Sequence, residues 1–230
     1  MSKHKIFIAC DTTNPQKLSQ IINHSKTNKL RIGYKIGLEF FMSPKGRGFI
    51  SKLKKKEIFL DLKLNDIPNT CSASIKALSD LKNISYLTVH TNGGLDMLRA
   101  VKKSSKKISK KIKILGVTIL TSFSNSSIKK IGHTRSIKEL VKKQASLAKS
   151  AKLDGVVCSG HEAKFLKSIC KNMEIITPGI RLPGDNKSDQ KRVMTPKQAF
   201  RNGATSIVVG RSITKGNIKN NIQRLIKSLN

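Results

Sequence analysis

Eight short, apolar, β-rich runs punctuate this chain and constrain its fold more than any other feature. They are Ile6–Asp11, Arg31–Gly37, Glu57–Leu64, Tyr86–His90, Ile114–Leu120, Gly155–Ser159, Glu174–Gly179 and Ser206–Arg211. Longer segments with helical spacing lie between them. Leu140, Ala145, Leu147, Ala148 and Ala151 make one apolar stripe, and Ile218, Ile222, Leu225, Ile226 and Leu229 make another. Alternation of strand and helix predicts a parallel sheet. Eight such units within 230 residues predict closure into a (β/α)8 barrel of the TIM type, with residues 1–230 as a single domain. An open, doubly wound sheet is the alternative. No linker, Pro/Ser-rich tract or internal repeat interrupts the alternation. Aromatic residues make up only 4% of the chain and Trp is absent, so the core must be built mainly from Ile, Leu, Val and Ala.

The apolar runs end in polar or turn residues: Asp11, Lys35, Asp61 with Lys63, His90, Thr121 with Ser122, Pro178 with Gly179, and Gly210 with Arg211. In a barrel these positions form the C-terminal rim, where substrates bind. A purely structural chain has no need of ionisable groups at the ends of so many strands.

The segment from Asp61 to Thr70, DLKLNDIPNT, is the most informative. Side chains two apart on a strand share a face, so Asp61 and Lys63 should point one way and Leu62 and Leu64 the other. Charges facing a closed barrel interior are costly unless paired. Asp66 follows in the loop within reach of Lys63, and Lys35 at the end of the second strand can join, giving an alternating lysine–aspartate array. An ion-pair network that merely fixes the barrel is one reading. The other is a general acid, Lys63, held charged between carboxylates. Pro68 then opens a helix, with Asn69 or Thr70 as its expected cap.

At the far end of the chain, Thr177-Pro178-Gly179-Ile180-Arg181 leads into a polar loop containing Gln190, and the eighth run ends Val209-Gly210-Arg211-Ser212. Loops after strands seven and eight are the usual phosphate cradle of these barrels. Gly179 and Gly210 let backbone N–H groups approach an anion, and Arg181 and Arg211 supply charged donors.

The formal charge of +33, from 46 Lys+Arg against 13 Asp+Glu, raises nucleic acid or an anionic membrane as partners. The lysines, however, are spread along the chain, and the clusters at 52–56 and 102–113 carry no interleaved aromatics. A solvated basic surface that attracts small anionic substrates is expected, with no specific nucleic acid and no membrane partner. Cys10, Cys71, Cys158 and Cys170 form no C-x-x-C pair and fit no zinc spacing, so reduced and mostly buried thiols are expected. The basic N-terminus has too short an apolar run for a signal peptide, and a soluble, cytoplasmic protein is expected. No metal-ligand cluster or cofactor motif is visible, and neither metal nor cofactor is expected.

With these residues in view, the chain resembles the orotidine 5′-phosphate decarboxylase family over nearly its whole length. The ten-residue segment at Asp61–Thr70 is the specific signature. Ile8-Ala9-Cys10-Asp11, Tyr34-Lys35-Ile36-Gly37, Leu120-Thr121-Ser122, Gly155-Val156-Val157-Cys158-Ser159, Thr177-Pro178-Gly179-Ile180-Arg181 and Val209-Gly210-Arg211 accompany it in family order. The resemblance implies that Asp11 binds the ribose. Lys35 would orient Asp61 and contact the ribose. Asp61 would sit against the substrate carboxylate, and Lys63 would protonate C6 of the pyrimidine. It also implies that Asp66, Ile67 and Thr70 reach into the site of a second subunit, hence a homodimer. Thr121 and Ser122 would lie near the base, with Pro178 beside them, and Arg181, Gln190, Gly210 and Arg211 would hold the 5′-phosphate of orotidine 5′-monophosphate or UMP. Ser212 departs from the proline often found there, and Cys71 from an aliphatic residue. A metal-dependent 3-keto-gulonate 6-phosphate decarboxylase shares the Asp-x-Lys-x-x-Asp element but not the continuation Ile67-Pro68-Asn69-Thr70.

Overall fold

The computed structural model describes residues 4–108, 112–185 and 193–229. Eight parallel strands close into a barrel in sequence order: β1 (Lys5–Ala9), β2 (Arg31–Gly37), β3 (Ile58–Leu64), β4 (Ile84–His90), β5 (Lys113–Val117), β6 (Gly155–Val157), β7 (Glu174–Ile180) and β8 (Ser206–Val209), with β8 pairing back onto β1. The open-sheet alternative is excluded by that last pairing. Every expected run overlaps a strand, but the observed strands stop short of Asp11, Leu120, Ser159 and Arg211. Those residues have left the hydrogen-bonded ladder, which frees their backbones to build the rim.

Two cores divide the apolar residues. The larger lies between strands and helices. It takes in Ile6, Ile8, Leu60, Leu62, Leu87 and Val89, together with buried helix residues such as Val141, Ala145, Ala148, Ile222 and Leu225. The smaller fills the barrel and consists of Phe7, Ala9, Phe59, Tyr86, Leu115, Ile176 and Val208. The chain thus spends three of its few aromatic side chains inside the barrel. Phe7 meets Phe59 and Tyr86 edge to face at centroid distances of 5.1 and 5.2 Å. Gly33 makes room for this cluster: a Cβ there would stand 2.6 Å from the Phe7 ring.

Beneath the aromatics, Lys5 bridges Glu57 and the Tyr86 hydroxyl, each at 2.5 Å, while that hydroxyl donates to Glu174. This closes the N-terminal mouth with satisfied charges, a stabilising role typical of that face. Above the aromatics, strand alternation carries the chain from filler to function. Two residues beyond Ala9, Phe59, Ile176 and Val208 stand Asp11, Asp61, Pro178 and Gly210, and all four line the rim cavity.

The helix after β3 corrects one expectation. It runs Pro68–Lys76, with Ile67 in the capping position and no side-chain cap, so Asn69 and Thr70 lie inside its first turn. Pro68 explains the shift: its fixed φ suits the first helical position, and it has no N–H to satisfy. All four cysteines are free and buried.

Candidate active site

A cavity of about 240 Å³ opens at the C-terminal rim. Its walls come from β1, β2, β3, β5, β6, β7, β8 and the turns that follow them. Register places its charged floor. Ala9 pairs with Lys35 and Gly37 with Asp61, so residues from three successive strands converge.

The charged chain at this floor reads Asp11–Lys35–Asp61–Lys63. Lys35 Nζ lies 3.1 Å from Asp11 Oδ1 and 3.4 Å from Asp61 Oδ2, and Lys63 Nζ donates to the same Asp61 oxygen at 2.9 Å. The Thr88 hydroxyl donates to the other oxygen, Asp61 Oδ1, at 3.0 Å. Burial alone would push the Asp61 carboxyl up. Lys35, Lys63 and the Lys63 and Thr88 hydrogen bonds outweigh it and hold Asp61 below the usual carboxylate range. Burial likewise opposes charge on Lys35, but Asp61 and Asp11 hold it above the ordinary lysine value. Asp61 therefore stays an anion gripped by two ammonium groups. The nearby His90 imidazole is pushed down by burial and then by Lys63, and its buried Nδ1 has no hydrogen-bond partner among the described residues. Cys10, between Ala9 and Asp11, is pushed up to about 12 by burial and remains a thiol.

The backbone at Lys63 is not that of a regular strand. Between the pairs Leu60↔Leu87 and Leu64↔Val89, β3 advances four residues while β4 advances two. Lys63 absorbs the excess with φ +49, a left-handed conformation. Such a turn costs a non-glycine residue about 1–2 kcal/mol, and bulges of this kind re-aim side chains beside active sites. Leu62 and Leu64 still pack into the outer core, so the expected division of faces holds. Lys63 reaches Asp61, but through a bulge rather than simple alternation.

Asp66 departs from the expected array within the chain. Among the described residues no ion pair joins it to Lys63. Its Oδ1 instead accepts the Ile67 N–H at 2.7 Å, and Asp11 takes the fourth place in the alternation. The local turn explains this: the carboxylate satisfies the amide immediately before Pro68 and is drawn away from the strand end. Asp66, Ile67 and Thr70 are all exposed, Ile67 to 65%.

The opposite wall carries Pro178, Gly179, Arg181, Gly210 and Arg211, so two adjacent strand ends bring both arginines to the cavity. Gly179 has φ +76, which a side chain would strain. Arg181 N–H bonds to Met194 O and Met194 N–H to Gly179 O, fixing the start of this loop. Arg224 pins it further through Pro183 O at 3.2 Å and Asp185 at 2.7 Å. Thr121 lines the cavity, whereas Ser122 is exposed and does not. Gln190 lies outside the described residues.

Sequence reasoning missed Thr88, and it placed His90 at a strand end without assigning it to the site. The available signal was Thr88 itself, a polar residue between the buried Leu87 and Val89 of β4. The apolar wall of Ile119, Leu120, Val157 and Cys158 was also missed, because nothing distinguishes such residues from core by type.

Known proteins are similar to this chain over nearly its whole length. The chain is 42% identical over 229 residues to an orotidine 5′-phosphate decarboxylase of a Wolbachia from Brugia malayi, covering 97% of this chain and 98% of that one. It is 40% identical over 215 residues to that of Legionella pneumophila strain Corby, covering 92% of each. The crystal structure of orotidine 5′-phosphate decarboxylase from Lactobacillus acidophilus superposes with a TM-score of 0.85 at 33% identity, covering 99% of this chain and 100% of that one. Residues 4–223 match a single family description, and the chain belongs to it: the orotidine 5′-phosphate decarboxylase / HUMPS family.

Proposed function

We propose that this protein converts orotidine 5′-monophosphate to UMP and CO2 in pyrimidine biosynthesis, without metal or cofactor, with Lys63 as the proton donor. The observation that carries the reading is the Lys63–Asp61 pair at 2.9 Å, at the floor of a cavity whose opposite wall holds Arg181 and Arg211. The arginines and the Gly179 and Gly210 backbones take the 5′-phosphate, joined by Gln190. Asp11 and Lys35 take the ribose. Thr121 and Pro178 border the base, whose C6 then faces Lys63.

In the chemical step the bond from C6 to the carboxylate breaks. Its electron pair stays on C6 and CO2 departs. Lys63 donates one proton to C6, completing UMP, and the neutral amine regains a proton from water. C6 carries no carbonyl, so the lysine has no Schiff base to form. Its contribution is a fixed positive charge where negative charge develops. Asp61, kept ionised by its lysines, stands against the substrate carboxylate, and their repulsion is relieved as CO2 leaves. Remote phosphate and ribose contacts supply binding energy that organises the site.

Independence from metal is supported by the donor set. Both oxygens of Asp61 are occupied, one by two ammonium groups and one by the Thr88 hydroxyl, so a divalent cation would have to displace positive charge. Loss of orotidine 5′-monophosphate absorbance should proceed at an undiminished rate after EDTA treatment. Activity that disappears with EDTA and returns with Mg²⁺ would favour the metal-dependent sugar-phosphate decarboxylases instead.

The working unit is proposed to be a homodimer in which Asp66, Ile67 and Thr70 of one protomer complete the other's site. Support comes from placement. Ile67 follows β3 and is 65% exposed. Leu38 and Met42, 50% and 75% exposed, follow the adjacent strand β2 at the same rim. Mixing inactive Lys63→Ala chains with inactive Asp66→Ala chains should restore activity, because one hybrid site receives both intact residues. A mixture no more active than its separate components would reject the shared site.

A further inference from the structure

Thr88 sits in the middle of β4 with no solvent exposure, and it does not line the cavity. Its hydroxyl makes two contacts. It accepts the Lys63 backbone N–H at 2.9 Å and donates to Asp61 Oδ1 at 3.0 Å. A hydroxyl has one proton, so its direction is fixed here: the carboxylate takes the proton and a lone pair takes the amide. The amide in question belongs to the left-handed residue at the β3 bulge. At that offset a side chain of β4 satisfies the Lys63 amide.

We propose that Thr88 is a positioning residue for the decarboxylation, setting through one hydroxyl both the backbone from which Lys63 projects and the rotamer of Asp61. It lies outside the cavity and acts only through these two residues. The inference rests on the reading of Lys63 and Asp61 as the groups that act on substrate. Valine would keep a similar outline but leave the Lys63 N–H and Asp61 Oδ1 without this partner. Serine would keep the hydroxyl.

The test compares Thr88→Val and Thr88→Ser in the full-length enzyme. Thr88→Val should lower kcat by roughly 10- to 100-fold, as a small misplacement of reacting groups does. KM and UMP affinity should stay within about threefold, because phosphate and ribose contacts are untouched. The acid limb of kcat/KM should also move to higher pH. Asp61 loses a hydrogen bond that favours its ionised form, while Lys35 on β2, Lys63 on β3, His90 on β4 and Asp11 beyond β1 remain as its charged or titratable neighbours. Thr88→Ser should return all three readouts near the parent. If the valine variant does not fold, Thr88→Ala replaces it in the comparison with serine.

Thr88→Val turnover within twofold of the parent would overturn the proposal. So would a loss shared equally by kcat, UMP binding and the serine variant. Lys63→Ala, assayed alongside, separates the two levels. A fully active Lys63→Ala means that the underlying reading has failed. An inactive Lys63→Ala with a normal Thr88→Val means that only the role of Thr88 has failed.

Discussion

Replacing Lys63 with alanine is expected to lower turnover by about ten-thousand-fold or more, through loss of both the proton donor and the charge that faces the developing carbanion. The geometry makes the loss local. Lys63 contacts Asp61 through its ammonium group and Thr88 through its backbone, and alanine keeps the backbone contact. Phosphate-end residues on β7 and β8 are untouched, so UMP should still bind measurably. Single-turnover decarboxylation together with UMP titration checks both halves. Turnover near that of the parent, in a variant that binds UMP, would refute the assignment of Lys63.

Asp61→Ala should be the second most damaging change, and its effect extends to stability. With the carboxylate gone, Lys35 and Lys63 confront one another without the anion that both now contact. Lys35 is only 13% exposed and keeps Asp11 alone as counter-charge. Breaking a buried pair in this way costs roughly 3 kcal/mol, or roughly 8 °C in the unfolding midpoint of a chain this size. Turnover should fall by about a thousandfold, as for loss of a preorganised electrostatic contact. Acid provides a sign check. Because Asp61 is held below its ordinary range, its contribution is present above about pH 4 and is lost as pH falls through the lowered value. Urea unfolding should therefore show a large difference between variant and parent at pH 7 and a smaller one near pH 3. A difference that grows on acidification would contradict the ion-pair account.

The barrel was legible because each run of apolar residues had to cross between two cores, which leaves few alternatives for eight evenly spaced strands. The convergence of Lys35, Asp61 and Lys63 was legible for the same reason, polar residues just past an apolar strand end having to gather at one rim, whereas Asp11 was placed at that rim but not in their array. What escaped was set by partners distant in sequence. The bulge at Lys63 depends on how β3 registers against β4, and nothing local in Asp61-Leu62-Lys63-Leu64 signals a four-for-two offset. Asp66 was expected to reach Lys63, but it is captured by the amide of its neighbour, a short-range competition that counting along the chain does not reveal. Asn69 and Thr70 have good capping chemistry, yet Pro68 takes the first helical position and the cap falls at Ile67, two or three residues earlier. Thr88 could be seen only as an anomaly, and its two hydrogen bonds belong to a segment 25 and 27 residues away.

The left-handed backbone at Lys63 carries a consequence for anyone engineering this barrel. Glycine would occupy φ +49 at ease, but it would also strip one of two ammonium groups from the buried Asp61 carboxylate, so relief of about 1–2 kcal/mol of backbone strain is set against a broken ion pair. A selection that rewards survival of heating, and is blind to product, would therefore still keep a cation here, because the ammonium group balances a buried carboxylate whether or not it meets substrate.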